Sequence, residues 1–138
     1  MLKKTVAAVS AAALLYLTAL ATAIYAQEPA QQAVIVILYS QHCKAYCQKV
    51  RPILQELKQQ YPKIAFLELD TSSETLPESK AKAKELGRSV LQFVTDYADV
   101  VPYVGFFNSK RKLVKDLSGP KTKELYVSVI EKNLSGDN

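Results

Sequence analysis

Seven consecutive residues, Ala33 to Tyr39, carry no charge, and the four from Val34 to Ile37 are all β-branched. A strand with one wet face alternates apolar and polar side chains, whereas an unbroken run of this length and composition fits a strand covered on both faces. Such strands belong to parallel or mixed sheets with helices above and below, which commits the rest of the chain to supplying those helices. The run then hands over to a strongly amphipathic helix. At the junction stand the chain's two cysteines, Cys43 and Cys47, separated by Lys44-Ala45-Tyr46.

With no other cysteine present, sulfur chemistry must use this pair or an outside partner. Unpaired N–H groups and the helix dipole at a helix opening stabilise a thiolate. Residues four apart lie one above the other on a helix with parallel Cα–Cβ bonds, so a bridge inside regular helix is strained and Cys43 is expected at or before the cap. The stripe Cys47, Val50, Leu54, Leu57 and Tyr61, with Ile53 beside it, predicts that Cys47 faces the core and Cys43 the exposed end. That asymmetry suits a redox pair in which one sulfur attacks and a sheltered one resolves.

Lys3 and Lys4 precede 22 uncharged residues, Thr5 to Ala26, followed by Gln27-Glu28-Pro29. The pattern predicts export, with residues 1–26 acting either as a cleaved signal peptide or as an uncleaved membrane anchor, and 27–32 as a short linker. Both readings put the domain expected over 33–138 outside the cytoplasm, in the periplasm or an equivalent lumen, where a disulfide can persist. Without Lys3 and Lys4, 16 basic residues face 13 acidic ones, a net charge of +3. The lysines are scattered among acids and lack interleaved aromatics, so no nucleic-acid partner is expected.

A helix is predicted from about Lys44 to Tyr61, kinked at Pro52, which removes a backbone hydrogen bond. Ile64 to Leu69 follows as a second strand, parallel to the first. Pro77-Glu78 reads as a helix start, with Ala81, Leu86, Val90, Phe93, Val94 and Tyr97 at helical spacing and a break at Gly87-Arg88-Ser89. Val101 to Phe107 is a strand, Asn108 to Arg111 a turn, Lys112 to Leu117 a returning strand. Thr122 to Asn133 closes the chain as a helix, apolar at Leu125, Val129, Ile130 and Leu134. The order βαβαββα gives an α/β fold with a central mixed sheet and helices on both faces.

These features resemble the thioredoxin superfamily over nearly all of the expected domain. The resemblance is carried by the apolar strand before the cysteines, by Pro52 five residues after Cys47, by the Val101-Pro102 step opening a strand, and by the hairpin, glycine-bearing loop and terminal helix. It implies a thiol–disulfide oxidoreductase in which Cys43 attacks and Cys47 resolves. Pro102 would be a cis-proline facing the cysteines, and the Val101 backbone would pair with an extended substrate. His42 reads either as a tuner of Cys43 or as a surface residue, and Tyr46 as a packing or substrate-contact residue. Partners would be protein or small-molecule thiols and disulfides and a separate redox protein, with no bound cofactor.

Departures from the family pattern are specific. Thioredoxins carry two residues between the cysteines, so one residue is inserted here. His42 replaces the usual tryptophan, and Ile37 stands where a buried acid is expected. The segment from Asp70 to Pro102 is about a dozen residues longer. An anchor with Cys-x-x-x-Cys is also similar to the Sco-type copper proteins, whose copper site takes a histidine from a distant loop; here the sole histidine is His42, beside Cys43. Copper delivery and a purely structural bridge are the alternative readings, and no metal ligand set is assigned.

Overall fold

A computed structural model describes residues 31–136. The targeting segment expected over 1–26 and most of the linker lie outside the described residues. The elements are β1 (Val34–Tyr39), a π-helical turn (Tyr46–Val50), α1 (Arg51–Gln60), β2 (Ala65–Asp70), α2 (Leu76–Leu86), α3 (Arg88–Tyr97), β3 (Tyr103–Phe107), β4 (Leu113–Ser118) and α4 (Lys123–Asn133). The sheet runs β2-β1-β3-β4. β1 is parallel to β2 and antiparallel to β3, and β3 is antiparallel to β4.

β1 is central and buried on both sides, as its unbroken apolar run requires. Ile35 and Ile37 enter a core with Val50, Leu54, Leu57, Phe106, Tyr126 and Ile130, beneath α1 and α4. Val34, Val36 and Leu38 enter a second core with Leu69, Ala83, Val90, Phe93, Val94 and Phe107, beneath α2 and α3. Each fully buried aliphatic side chain of β1 contributes roughly 1.5–3 kcal/mol as an upper estimate.

Gly87, at φ 131°, ends α2 and starts α3, a backbone conformation that a side chain would strain. Gly105 serves packing instead. A Cβ there would lie 2.7 Å from the Phe93 ring and 2.9 Å from that of Phe107, so its absence lets α3 settle onto the sheet.

Three sequence expectations fail on helical phase. Cys47 is exposed, whereas Cys43 is half-buried and packs against the first core. The cause is the π-helical turn, whose i→i+5 bonding, seen in the Arg51 N–H to the Tyr46 carbonyl, adds a residue to the turn. Counting back from Val50, the inward position therefore falls on Tyr46, which is fully buried. In α2 the inward residues are Ser79 and Ala83, with Ala81 exposed, because the helix packs along Leu76, Ser79, Ala83 and Leu86. In α4, Leu125 is exposed and Tyr126 takes the core position.

The kink expected at Pro52 takes the form of this same transition. Pro52 stands at the start of α1, where its missing N–H costs least, and the wider turn lies just before it. Gln48, four residues back, is where an α-helix would have required that N–H.

Candidate functional site

One end of the sheet gathers the residues singled out in the sequence. The register pairs Tyr39 with Asp70 and Leu38 with Tyr103, so the end of β1, the end of β2 and the start of β3 lie together. The cysteine loop leaves β1 here. At this end too, the Val101–Pro102 peptide bond, which is cis, enters β3. Pro102 is buried and its carbonyl accepts from Gly119 N–H at 2.8 Å; Val101 is half-buried.

The loop is a tight turn closed by Cys43 N–H donating to the Ser40 carbonyl at 2.8 Å. Its apex, Gln41 and His42, is exposed, and His42 N–H donates to Ser40 Oγ at 3.3 Å. Cys43 caps the helix opening, since its carbonyl accepts from Cys47 N–H at 3.4 Å. Both cysteines are free thiols, with their sulfurs beyond disulfide distance.

A brace from the β2–α2 connection holds this turn. Thr71 N–H donates to the Tyr39 carbonyl at 2.7 Å, and the Thr71 hydroxyl donates to the Ala98 carbonyl at 2.7 Å. Ser40 Oγ and Ser72 Oγ lie 3.2 Å apart. The Asp70 carboxylate accepts from Ser72 N–H at 2.9 Å and from its hydroxyl at 2.6 Å. Burial pushes the Asp70 carboxyl up, but donors from Ser72, Thr75 and the Gln41 backbone outweigh it and hold it below the usual carboxylate range.

On the other side of the helix opening a second cluster forms around Tyr46. Its ring stacks on Tyr39 with centroids 4.5 Å apart, and its hydroxyl donates to Glu68 on β2. Arg51 covers both rings, its guanidinium 5.0 Å from the Tyr46 centroid and 5.5 Å from that of Tyr39, and it approaches Glu68 at 3.6 Å. Burial, then the bond to Glu68, drives the Tyr46 phenol well above its ordinary range. Its bond to Tyr46 raises the Arg51 guanidinium further, against a small opposing effect of burial, with Glu68 and Cys47 adding to the rise.

Sequence reasoning missed Glu68, Arg51, Tyr39 and Asp70. Two had a visible signal: Arg51 stands one turn beyond Cys47, and Glu68 is the only charge between Ile64 and Leu69. Glu68 is also the register partner of Ile37, so a carboxylate occupies the level of the absent acid, one strand over. Among the described residues no group of three or more His, Cys, Asp and Glu side chains gathers as a metal site, and no helix is long and apolar enough to cross a membrane.

A mixed four-stranded sheet with a dithiol at the strand–helix junction and a cis-proline at the same sheet end defines a thioredoxin-like fold. The chain matches the family model described as Thioredoxin over residues 17–132, and it belongs to that family. Among solved structures it is similar to oxidised thioredoxin O2 from Arabidopsis thaliana, at 16% identity over 76% of this chain and 77% of that one, with a TM-score of 0.54. Thioredoxin f2 of Chlamydomonas reinhardtii matches at 16% identity, over 79% and 86% of the two chains, with a TM-score of 0.54. A structure of ferredoxin:thioredoxin reductase with thioredoxin f2 holds a chain 28% identical over 74% and 77%, with a TM-score of 0.52. None of the curated proteins compared matches the chain.

Proposed function

We propose that this protein is an extracytoplasmic thiol–disulfide oxidoreductase that acts on protein or small-molecule thiols and disulfides through Cys43 and Cys47. Membership of the thioredoxin family supports the redox reading. The observation that carries it to these residues is the placement of both free thiols at the helix opening that follows β1, at the sheet end where β2 ends and the cis Val101–Pro102 bond leads into β3. On this reading the Val101 backbone next to Pro102 would pair with an extended substrate and the exposed His42 would lie on the cysteine side, while Tyr46, fully buried, packs the helix opening and does not meet substrate. A separate redox protein closes the cycle, as the complex of a thioredoxin f2 with its reductase illustrates for that protein. Export rests on Lys3, Lys4 and the uncharged stretch behind them.

Alkylation mass spectrometry tests the chemistry. Both thiols should be protected in the oxidised protein and both free after dithiothreitol; two freely alkylated thiols under oxidising conditions would overturn the reading. Residues 1–32 fused to alkaline phosphatase, which is active only outside the cytoplasm, test the location, and an inactive fusion would remove the extracytoplasmic assignment.

A further inference from the structure

We propose that the end of the domain opposite the dithiol is a docking surface for an anionic phospholipid membrane, so that the cysteines face away from the bilayer. The proposal rests on the export reading above for the nearness of a membrane, and on the placement of charge for the surface itself.

The register fixes which residues share that end. Val34 at the start of β1 pairs with Ala65 and Phe107, and Phe107 pairs with Leu113, so the segments just beyond these positions gather there. Lys63 lies two residues before Ala65, and Lys110, Arg111 and Lys112 belong to the turn between β3 and β4. The α2–α3 junction joins them, since a Cβ on Gly87 would lie 3.7 Å from that of Arg111, and Arg88 follows Gly87 directly. The last turns of α1, α2 and α4 add Lys58, Lys84 and Lys132. Among the described residues, Glu85 and Glu131 are the acids that share this end with these eight basic residues, and Glu131 accepts from the Tyr61 hydroxyl at 2.7 Å. Elsewhere the described residues hold eight basic and nine acidic side chains, so the positive surplus belongs to this end.

Helix chemistry does not account for the whole set. A lysine in the last turn complements the helix dipole, which explains Lys58, Lys84 and Lys132 within their own helices. Arg88 instead stands in the first turn of α3, where the dipole disfavours a cation and no acid is present. Lys63, Arg88, Lys110 and Lys112 are exposed, and among the described residues none of them forms an ion pair. The turn presenting the last two is fixed, because the Asn108 side chain accepts from Lys110 N–H at 3.1 Å and from Lys112 N–H at 3.0 Å. Arg111, at φ 61°, donates from its guanidinium to the Gln32 carbonyl.

That contact also marks where the chain enters the domain. Thr5 to Ala26 is uncharged and long enough to span a bilayer, and the six residues 27–32 reach roughly 20 Å at full extension. Where the stretch stays in the membrane, the end that holds Gln32 is the part of the domain tethered to the lipid. Anionic headgroups attract lysine and arginine within about a Debye length, roughly 8 Å at physiological salt, so the surface acts on contact and the tether supplies the nearness. β1, six residues long, then carries the dithiol end roughly 20 Å further from the lipid plane, open to partners in the surrounding compartment.

The test places the reduced full chain in vesicles of phosphatidylcholine, alone or with about one-third phosphatidylglycerol, and maps lysine accessibility by pulsed amine acylation and peptide mass spectrometry. At about 0.01 M salt, Lys63, Lys84, Lys110, Lys112 and Lys132 should acylate about threefold more slowly on the anionic vesicles than on the neutral ones, with Lys44 and Lys49 beside the cysteines unchanged. The difference should close at about 1 M salt, where the screening length is about 3 Å. Equal labelling of the five on both vesicles, or protection of Lys44 and Lys49 in their place, would overturn the proposal. Equal protection by a soluble acidic protein of matched charge would also overturn it, and would assign the surface to a protein partner. Lys63→Gln, Lys110→Gln and Lys112→Gln combined should restore the labelling of Lys84 and Lys132 on anionic vesicles; protection that persists would overturn the role of those three. Lysine labelling is independent of thiol exchange, so its failure leaves the redox reading standing, and the phosphatase fusion reports export separately.

Discussion

Tyr46, three residues into the helix opening, donates its hydroxyl to Glu68, the register partner of Ile37 on the neighbouring strand. This contact joins the residue that the π-helical turn rotates inward to Glu68, the only charged residue between Ile64 and Leu69. It gives the segment between the cysteines a fixed attachment to the sheet. The family's acid position on β1 is apolar here, and the charge at this level belongs to the β2 edge.

That attachment should be measurable. Tyr46→Phe removes one hydrogen bond to a charged but partly exposed acceptor and should cost about 1–1.5 kcal/mol, at the low end for such bonds. Tyr46→Ala empties a fully buried aromatic position and should cost about 3–5 kcal/mol. Urea unfolding with an unchanged m-value checks both, and equal costs would mean that the ring adds nothing beyond the hydroxyl.

Asp70 should make the cysteine-loop brace acid-sensitive. Its folded-state carboxyl lies below the ordinary range, so the stabilisation is fully present above the unfolded value of about 3.9 and is lost as pH falls through the lower folded value. The stability gap between wild type and Asp70→Asn should hold steady from neutral pH to about pH 5 and narrow below about pH 4. Chemical denaturation across that range is the measurement; a gap that widens on acidification would contradict the sign.

Gly105→Ala should destabilise by about 1–3 kcal/mol, because the new methyl group meets the Phe93 ring at 2.7 Å inside a packed core. Phe93→Leu in the same chain should recover part of that loss. A double-mutant cycle with zero coupling would place the strain elsewhere.

Copper provides a separate check on the alternative reading. His42 is exposed at the apex of its turn, with its backbone N–H on Ser40, and among the described residues the two thiols are the only sulfur ligands. The reduced protein should bind Cu(I) no more tightly than a generic dithiol, and His42→Ala should leave that affinity unchanged in competition against a Cu(I) chelator. Tight one-to-one binding that collapses in His42→Ala would favour copper delivery.

The order of elements, the doubly buried β1 and the break at Gly87 were legible in the residues, because apolar runs, periodicity and turn residues act over short stretches of chain. Helical phase was not. Whether Cys47 or Tyr46 faces inward depends on a single extra residue in one turn. That choice is set by Pro52, which lacks the N–H an α-helical turn would use, and by the fit of Tyr46 against Tyr39 and Glu68. Ala83 in place of Ala81 and Tyr126 in place of Leu125 follow the same logic, since the packing partner selects among neighbouring apolar positions. The Asp70 brace and the Arg51–Glu68 contact join residues far apart in the chain, and only the parallel pairing of β1 with β2 brings them to one end of the sheet.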